Sequence, residues 1–489
     1  MLANARLLGD LPCRRAGTAV LAYYLLFNYV VTDNQKEVYL MKKLLASALA
    51  LTTALSLAAC GSGSTGNSGG GNAGGTQTEA AGGQSDSGEG NVITVWTSNE
   101  LHNQMFEFGE KVYNEKHGDN PVELKIEVYP NAEMANKLLI ALQSGVGAPD
   151  IADININYFS NFLKGDIQLV PLNDIVEKEL PSCVQSRFDL YKEDGTYYGI
   201  PTHVGASVVY YNMEIIEKAG FTIEDVDAIE TWDQYRDMGL QVFEKTGIPM
   251  TVYEVSNQRP FWPMIVQRGG DYLNADGSVA MDSESNIQVL EWMKDFWDTG
   301  AVVAAPGGST SVEEFWTWMN QGGCASLTMP SWFMSRFTNY MPDLEGKIAI
   351  RPMPVFEKGE PRTVGIGGTG TAITTQCKNV ELAKEVLYES KLTYEANVNI
   401  WECLQFDPVR SDVWADDSLT APMPYFYNES FFKIMGEYMD GCPSPVNAGL
   451  SVAAQDLVNN TVMYSVFVDG SQTPAEALKA AAEELRAQQ

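Results

Sequence analysis

At 122–128, every second residue is apolar and the residues between them are charged. This alternation predicts a β-strand with one buried face. A run rich in β-branched residues at 91–97 and the run Pro-Asp-Ile-Ala-Asp-Ile at 149–154 predict two further strands. The first part of the folded chain is therefore expected to contribute three strands to a sheet.

Between these strands the apolar residues recur at helical spacing. Met105, Phe108 and Val112 predict one helix, and the stripe within 132–143 predicts a second helix that Gly145 ends. An order of strand, helix, strand, helix, strand predicts parallel pairing with right-handed crossovers. The sequence thus favours an α/β fold.

Polar side chains follow the first and third predicted strands. In open α/β sheets, ligands bind beyond the carboxyl ends of the strands. Helix capping is an equally good role for Ser98 or Asn99, and capping does not exclude ligand contact. One wall of a binding site is therefore predicted at Asn99, Glu100, Asn155, Asn157 and Tyr158.

Helices and strands continue to alternate to about residue 390. We predict a strand-like stretch over 197–211, a helix at 213–219, and a helix N-cap at Thr231. The tail at 426–489 is predicted to be mostly helical.

The length and net charge of the chain limit the classes of protein to which it can belong. The chain has 489 residues, is 45% hydrophobic, and carries a formal net charge of −31. This is long enough for one large or two medium domains with a real core. The acidic balance argues against nucleic-acid partners, because phosphate binding needs stripes of lysine and arginine.

The amino-terminal region has the pattern of an export signal. Residues 41–43 read Met-Lys-Lys, 44–59 carry no charge, and Cys60 follows. The run 57–60 resembles the lipobox of bacterial lipoproteins, which implies a diacylglyceryl group on Cys60 and cleavage before it. An ordinary signal peptide that contains a cysteine is the alternative.

Two segments flank this signal. Residues 60–90 are rich in glycine and serine and predict a flexible tether. Residues 1–40 are redundant beside a signal that begins at Met41, so we predict that they are a mis-assigned upstream segment.

Two sequence motifs suggest a nucleotide site or a cation site, but their surroundings do not support either. The run 365–370 matches G-x-G-x-x-G, but strand-like residues follow it where a dinucleotide site needs a helix. We expect close backbone packing there instead. The loop 271–277 lacks the EF-hand spacing and predicts a tight turn rather than a cation site. Beyond Cys60 there are five cysteines, an odd number, and no disulfide framework is expected.

The run 199–203 leading to 210–212 resembles the first lobe crossing of family 1 extracellular solute-binding proteins. The resemblance covers roughly 91–489. Further matching pieces occur in the family's order at 147–151, 231–233, 262–263, 269–270, 329–332, 367–370 and 381–385. The stretch 400–410 is similar to members that bind arabinose or arabino-oligosaccharides.

This resemblance implies a two-lobed type II periplasmic-binding-protein fold whose lobes are discontinuous and close on the ligand. Lobe I is expected to comprise 91–203 with 371–410. Lobe II is expected to comprise 204–370 with 411–489.

The resemblance also implies further binding residues. A sugar site needs aromatic plates for the C–H faces and planar hydrogen-bonding groups for the hydroxyls. A core role is the alternative for each tryptophan, and a structural role for the histidine. Candidates are Trp262 and Trp332 as plates, with His203, Asn257, Gln258, Arg259 and Asn447 as hydrogen-bonding groups.

We therefore predict a monomeric, lipid-anchored protein outside the cytoplasm that delivers a sugar or oligosaccharide to the permease of an ABC importer. No cofactor, metal site or catalytic residue is predicted. Two alternatives stay open, namely a binding protein for a non-sugar solute and a surface glycoside hydrolase.

Overall fold

The computed structural model describes residues 91–489. The predictions for residues 1–40, for the signal, for Cys60 and for the tether lie outside the described residues. The strands are β1 (Asn91–Thr97), β2 (Val122–Val128), β3 (Ile151–Asn155), β4 (Lys192–Glu193), β5 (Thr196–Tyr197), β6 (Ile200–Pro201), β7 (Ser207–Asn212), β8 (Thr251–Tyr253), β9 (Val302–Ala304), β10 (Ser326–Pro330), β11 (Ile348–Pro352) and β12 (Thr369–Ile373).

The helices are α1 (Asn103–Lys116), α2 (Asn131–Ser144), α3 (Ile156–Phe159), α4 (Asn173–Val176), α5 (Gln185–Phe188), α6 (Met213–Lys218), α7 (Ile223–Asp227), α8 (Trp232–Thr246), α9 (Trp262–Gln267), α10 (Glu284–Asp298), α11 (Glu313–Asn320), α12 (Met334–Tyr340), α13 (Val380–Lys391), α14 (Tyr394–Leu404), α15 (Phe431–Met439), α16 (Ser451–Leu457), α17 (Met463–Phe467) and α18 (Pro474–Arg486). They alternate with the strands only in part, because α6, α7 and α8 follow one another with no strand between them, and β4 to β7 with no helix.

The first sheet has five strands in the order β2-β1-β3-β12-β6. Strand β1 pairs in parallel with both β2 and β3, which confirms the predicted pairing. Strand β12 returns from late in the chain and runs antiparallel to β3 and β6. The carboxyl ends of β1 and β3 therefore lie at the same edge of this sheet.

The second sheet has three strands, with β7 between β10 and β11 and antiparallel to both. All six residues of β7 are buried, as expected for a central strand with both faces covered. The chain passes from the first sheet to the second between β6 and β7, and it returns between β11 and β12.

The stretch 197–211 is not one continuous strand, as the sequence had suggested. It is broken because the chain leaves the first sheet at Pro201 and enters the second at Ser207. Gly205 lies in this crossing with a φ of 69°, and a Cβ there would lie 2.3 Å from the carbonyl oxygen of Ile366. The turn therefore requires glycine.

Buried polar groups hold each of the two crossing segments in place. The Asp407 carboxylate accepts hydrogen bonds from the backbone N–H groups of Gly205 and Ala206, at 3.0 and 2.8 Å. The Arg187 guanidinium donates to the carbonyl oxygens of Gly365 and Gly367. The predicted close packing at the glycine-rich run is observed, since a Cβ on Gly365 would lie 2.9 Å from the carbonyl oxygen of Val204.

The helix predictions are largely confirmed. Thr231 caps α8 with a reciprocal capping box, and Gly145 ends α2 in the left-handed conformation. The buried stripe of α1 differs from the prediction, since Phe108 and Val112 are only half-buried. Gly109 faces inward because α1 packs so closely on α13 that a Cβ there would lie 1.9 Å from Ser390 Oγ.

Separate hydrophobic clusters accompany the two sheets. One cluster of the first sheet includes Val95, Phe106 and Val386, whereas the largest cluster of the molecule packs around Tyr211 and Phe296 beside the second sheet. The five cysteines of the described range are unpaired. Each sheet thus has its own core.

Candidate ligand-binding cleft

A cavity of about 380 Å³ lies beyond the carboxyl ends of β1 and β3 and extends to α9, β10 and α12. Its volume falls within the 300–1,000 Å³ range that is typical of small-molecule sites. Nine of the predicted site residues line it, namely Asn99, Asn155, Asn157, His203, Asn257, Gln258, Arg259, Trp262 and Trp332. The first and second sheets therefore each contribute a wall.

The wall from the first sheet presents amide side chains. Asn99 Oδ1 accepts from the N–H of Leu101, and Asn155 Oδ1 accepts from the N–H of Asn157, at 3.2 and 3.0 Å. Both asparagines thus cap a helical turn and also line the cavity. Because the oxygen of each amide serves as the cap, its Nδ2 group is left to donate to a ligand.

His102 lies on the same wall and was missed in the sequence analysis, although it is only two positions after Glu100. Its Nδ1 lies 2.6 Å from the carboxylate of Asp153, which is fully buried in β3. Burial alone would raise the pKa of Asp153, but the His102 ring and the nearby Lys391 ammonium hold that pKa well below its usual value. Asp153 is therefore a buried carboxylate that fixes the orientation of a cavity-lining imidazole.

A buried lysine extends this polar network beneath the cavity. Lys391 Nζ donates to the carbonyl oxygen of Ile200 at 2.8 Å, and to the hydroxyls of Thr202 and Thr371 at 2.8 and 2.6 Å. Burial lowers the pKa of Lys391 to about 7, although the charge of Asp153 opposes this shift. Since Thr371 also bonds to Asp153 at 2.7 Å, the lysine and the carboxylate form one network.

His203 lies in the crossing segment and lines the cavity while only 3% exposed. Its ring is 4.8 Å from the ring of Phe406, edge to face, and both ring nitrogens lack a protein hydrogen-bond partner in the described residues. Burial, together with the charge of Arg187, lowers the pKa of His203 well below its usual value. The imidazole is therefore neutral at pH 7, with one donor and one acceptor unused.

On the opposite wall, Trp262 begins α9 and is only 3% exposed. Its indole stacks on Tyr272 with ring centroids 5.9 Å apart, and its Nε1 donates to Asp271 at 2.9 Å. Burial raises the pKa of Asp271 to about 6. Trp262 thus combines a core contact with a place in the cavity lining.

Trp332 follows β10 and is half-buried between clusters of both sheets. The Arg259 guanidinium lies 5.8 Å from the Trp332 ring centroid, within the range of a cation–π contact. Arg259 is held by the buried carboxylate of Glu254, at 3.0 Å, and by Ser311 Oγ at 3.1 Å. A planar cation and an aromatic ring therefore share one part of the wall.

Gln258 and Asn459 complete this wall. The N–H of Gln258 donates to Asn459 Oδ1 at 2.7 Å, and Gln258 Oε1 is buried without a partner in residues 91–489. Asn459 lies in a π-helical turn at Val458–Val462, a feature that often occurs at functional sites. No sequence pattern indicates a π-turn, so Asn459 could not have been predicted.

Three predicted site residues do not line the cavity. Glu100 is exposed in the turn after β1. Tyr158 packs against the cluster around Phe159. Asn447 donates its side-chain amide to the carbonyl oxygen of Leu190 at 2.5 Å and thereby joins two distant segments of the chain.

The charge of the cavity differs from that of the chain. Of the 26 lining residues found in the described range, none is an aspartate or glutamate, whereas two are arginines. In the whole sequence, 63 of 489 residues are acidic. The carboxylates of Asp153 and Glu254 lie behind the lining, where they bond to His102 and Arg259.

Other site types find no support in the described residues. Asp276 accepts from the N–H and hydroxyl of Ser278 in a tight turn, as predicted for this loop. Within residues 91–489 no group of three or more metal-ligating side chains is present. No helix in the same range has the length and apolar character needed to cross a membrane.

Comparisons with known proteins agree with this geometry. A family model described as bacterial extracellular solute-binding protein matches residues 101–387. A curated arabinooligosaccharide-binding protein of Halalkalibacterium halodurans is 41% identical over 81% of this chain and 89% of its own length. A protein of the same name from Bacillus subtilis is 40% identical over 84% of this chain and 95% of its own length.

The fold has solved counterparts. The GacH receptor of Streptomyces glaucescens superposes with a TM-score of 0.67 at 18% identity, covering 81% of this chain and 98% of the receptor. This likeness concerns the fold alone. It confirms the expected type II periplasmic-binding-protein architecture with two α/β lobes.

Proposed function

Because this chain belongs to the bacterial extracellular solute-binding protein family, we propose that its cleft binds an oligosaccharide of pentose sugars for delivery to an ABC importer. The observation that carries this proposal is the cavity lining, which combines seven asparagine or glutamine side chains with two tryptophans. Amides recognise hydroxyl groups, and aromatic rings cover the C–H faces of a sugar.

The relatives support the choice of sugar. Two of them, 40–41% identical to this chain over more than four-fifths of its length, are named arabinooligosaccharide-binding proteins. We therefore propose arabino-oligosaccharides as the first ligands to test. Asn99 and Asn155 on one wall and Gln258 on the other have groups available for sugar hydroxyls, and Trp332 offers the aromatic contact.

Binding without hydrolysis is the favoured activity. A glycoside hydrolase places two carboxylates at the bond that it cleaves. The described residues that line the cavity instead supply amide, imidazole and guanidinium groups. A non-sugar solute such as a polyamine would also call for carboxylates, so the lining favours a sugar over it.

The family is extracellular, so the protein works outside the cytoplasm. We propose that a lipid on Cys60 anchors it to the membrane, on the evidence of the sequence at 57–60. A diacylglyceryl group supplies two acyl chains, which is enough for stable attachment. A ligand that touches both walls would favour the closed arrangement of the lobes, and we propose that a permease recognises a single closed molecule.

A thermal-shift panel tests the choice of ligand. A ligand that binds only the folded state raises the free energy of unfolding by about 2.7 kcal/mol at 100 times its Kd. Arabino-oligosaccharides are expected to raise the Tm, whereas amino acids and polyamines are not. A shift with a polyamine or amino acid but with no sugar would overturn the proposal.

A further inference from the structure

Arg336 is a cavity-lining cation whose charge is not compensated. It lies on α12, and its Nη1 donates to Ser335 Oγ at 2.8 Å. In residues 91–489 no carboxylate lies within ion-pairing distance of it, whereas Arg259 pairs with Glu254. A guanidinium has five N–H donors, so most of the hydrogen-bonding capacity of Arg336 is unused.

The unused capacity of Arg336 distinguishes it from the other deeply placed arginine near the cleft. Arg187 is fully buried, yet its Nη groups are occupied by two backbone carbonyl oxygens and by Ser444 Oγ. Arg187 therefore has a structural role in the crossing segments. Arg336 has no comparable set of acceptors among the described residues.

A second guanidinium group, that of Arg259, lines the same cavity as Arg336. Burial lowers the pKa of Arg336, and the charge of Arg259 lowers it further. Both guanidinium groups line the same cavity, and Glu254 balances one of them. A bound anion would relieve the repulsion between the two cations and satisfy the free N–H donors.

From these observations we propose that Arg336, together with Arg259, forms a subsite for a carboxylate on the bound sugar. The ligand class is an acidic oligosaccharide, such as a pentose oligosaccharide that carries a uronic acid substituent. This inference rests on the proposed function and adds an acidic group to the ligand. Guanidinium groups bind carboxylates with two parallel hydrogen bonds, which suits this pair of residues.

The net charge of −31 does not contradict an acidic ligand. Charges on the outer surface are screened over about 8 Å at physiological ionic strength. Among the described residues that line the cavity, arginines carry the formal charges, since none of these residues is an aspartate or glutamate. The local field therefore favours an anion even though the molecule as a whole is acidic.

The test is calorimetric titration of the full chain with matched ligands. The probes are a neutral pentose trisaccharide, the same trisaccharide with one glucuronic acid substituent, and free glucuronate. We expect the acidic trisaccharide to bind about tenfold more tightly than the neutral one, as a charge-assisted hydrogen bond predicts. Titration with free glucuronate distinguishes two cases. In one, the subsite binds a carboxylate only as part of the oligosaccharide, and in the other it binds the acid alone.

Arg336→Gln should abolish this preference, so that the variant binds the acidic and the neutral trisaccharide with equal affinity. Arg336→Lys keeps the charge and should retain part of the preference. Lys347→Gln removes a cation that lies outside the cavity, on an exposed ion pair with Glu214, and should change neither affinity. A melting curve for each variant establishes that it is folded.

Two results would overturn the inference. One is equal affinity of the wild type for the acidic and neutral trisaccharides, and the other is a preference that survives in Arg336→Gln. In both cases binding of the neutral trisaccharide would leave the proposed function intact. Failure of both trisaccharides to bind would instead contradict the proposed function itself.

Discussion

The Arg259 guanidinium lies over the indole ring of Trp332, with its Cζ atom 5.8 Å from the ring centroid. Both side chains line the cavity, and the buried carboxylate of Glu254 holds the guanidinium in place. The aromatic ring and the planar cation are therefore parts of one recognition surface. A sugar bound there would contact an aromatic ring and a set of fixed N–H donors together.

Replacement of Trp332 by alanine should weaken sugar binding. We expect a loss of about 1–4 kcal/mol in binding free energy, from lost burial and stacking. Because Trp332 also packs against clusters of both sheets, the variant should lose stability as well, so titration is done well below its Tm.

Trp292→Ala is the matched control for this experiment. Trp292 is half-buried beside Trp232 and Phe356 and does not line the cavity. This variant should lose stability but keep its affinity for sugar. Normal binding by folded Trp332→Ala would remove Trp332 from the site.

Lys391→Met should destabilise the fold strongly. The substitution removes the buried ammonium that bonds to Thr202 and Thr371 and that faces Asp153. Each buried oxygen that is left without its donor costs about 1–3 kcal/mol. Chemical denaturation measures this loss.

A second substitution tests the cause of the stability loss in Lys391→Met. If the loss in Lys391→Met comes from an uncompensated carboxylate, the double variant with Asp153→Asn should recover part of it. Lys116→Met removes an exposed lysine paired with Glu389 and should cost less than about 1 kcal/mol. Additive losses in the double variant would mean that Lys391 and Asp153 are not coupled.

The buried imidazole of His203 should make stability sensitive to acid. Its pKa in the folded protein is lowered well below the usual value of about 6.5, whereas the unfolded chain titrates near that value. As the pH falls below about 6.5, the unfolded state binds a proton that the folded state does not. The contribution of His203 to the free energy of unfolding therefore decreases by at most about 1.4 kcal/mol per pH unit.

Asp271 changes the free energy of unfolding in the opposite direction over the same pH range. Burial raises its pKa to about 6, so the folded state binds a proton there before the unfolded state does. The measurement is thus a comparison of wild type with His203→Gln between about pH 5 and 6.5. The variant should lose less stability on acidification, and identical slopes would mean that His203 titrates alike in both states.

We propose that membrane attachment depends on Cys60, a residue outside the described range. Cys60→Ser should abolish labelling of the protein with a lipid precursor and should release it from the membrane fraction. Cys183→Ser is the control, because Cys183 lies in the described fold and is not part of the signal. Continued lipidation of Cys60→Ser would exclude the proposed anchor.

The sequence predicted what depends on local pattern. Alternation located β2, and short strand-like runs located β1 and β3. The carboxyl ends of β1 and β3 correctly placed Asn99 and Asn155 at the cavity. Both are N-caps, and the capping preference and the polar strand ends are local signals.

Residues that depend on distant contacts were not predictable in this way. His102 is oriented by Asp153, 51 positions away, and Asn459 reaches the cavity from a π-turn. Trp262 was correctly predicted to line the cavity, but its stacking on Tyr272 depends on the tertiary fold. The lobe boundaries and the individual ligand contacts stay predictions.

The central claim is that this cleft binds a pentose oligosaccharide. Isothermal titration of the full chain with arabinotriose tests it most directly. We expect saturable binding of one ligand per chain, with a negative heat-capacity change as apolar surface on Trp332 is buried. Absence of saturable binding for arabinotriose and for longer arabino-oligosaccharides, with a protein that melts cooperatively, would contradict the claim.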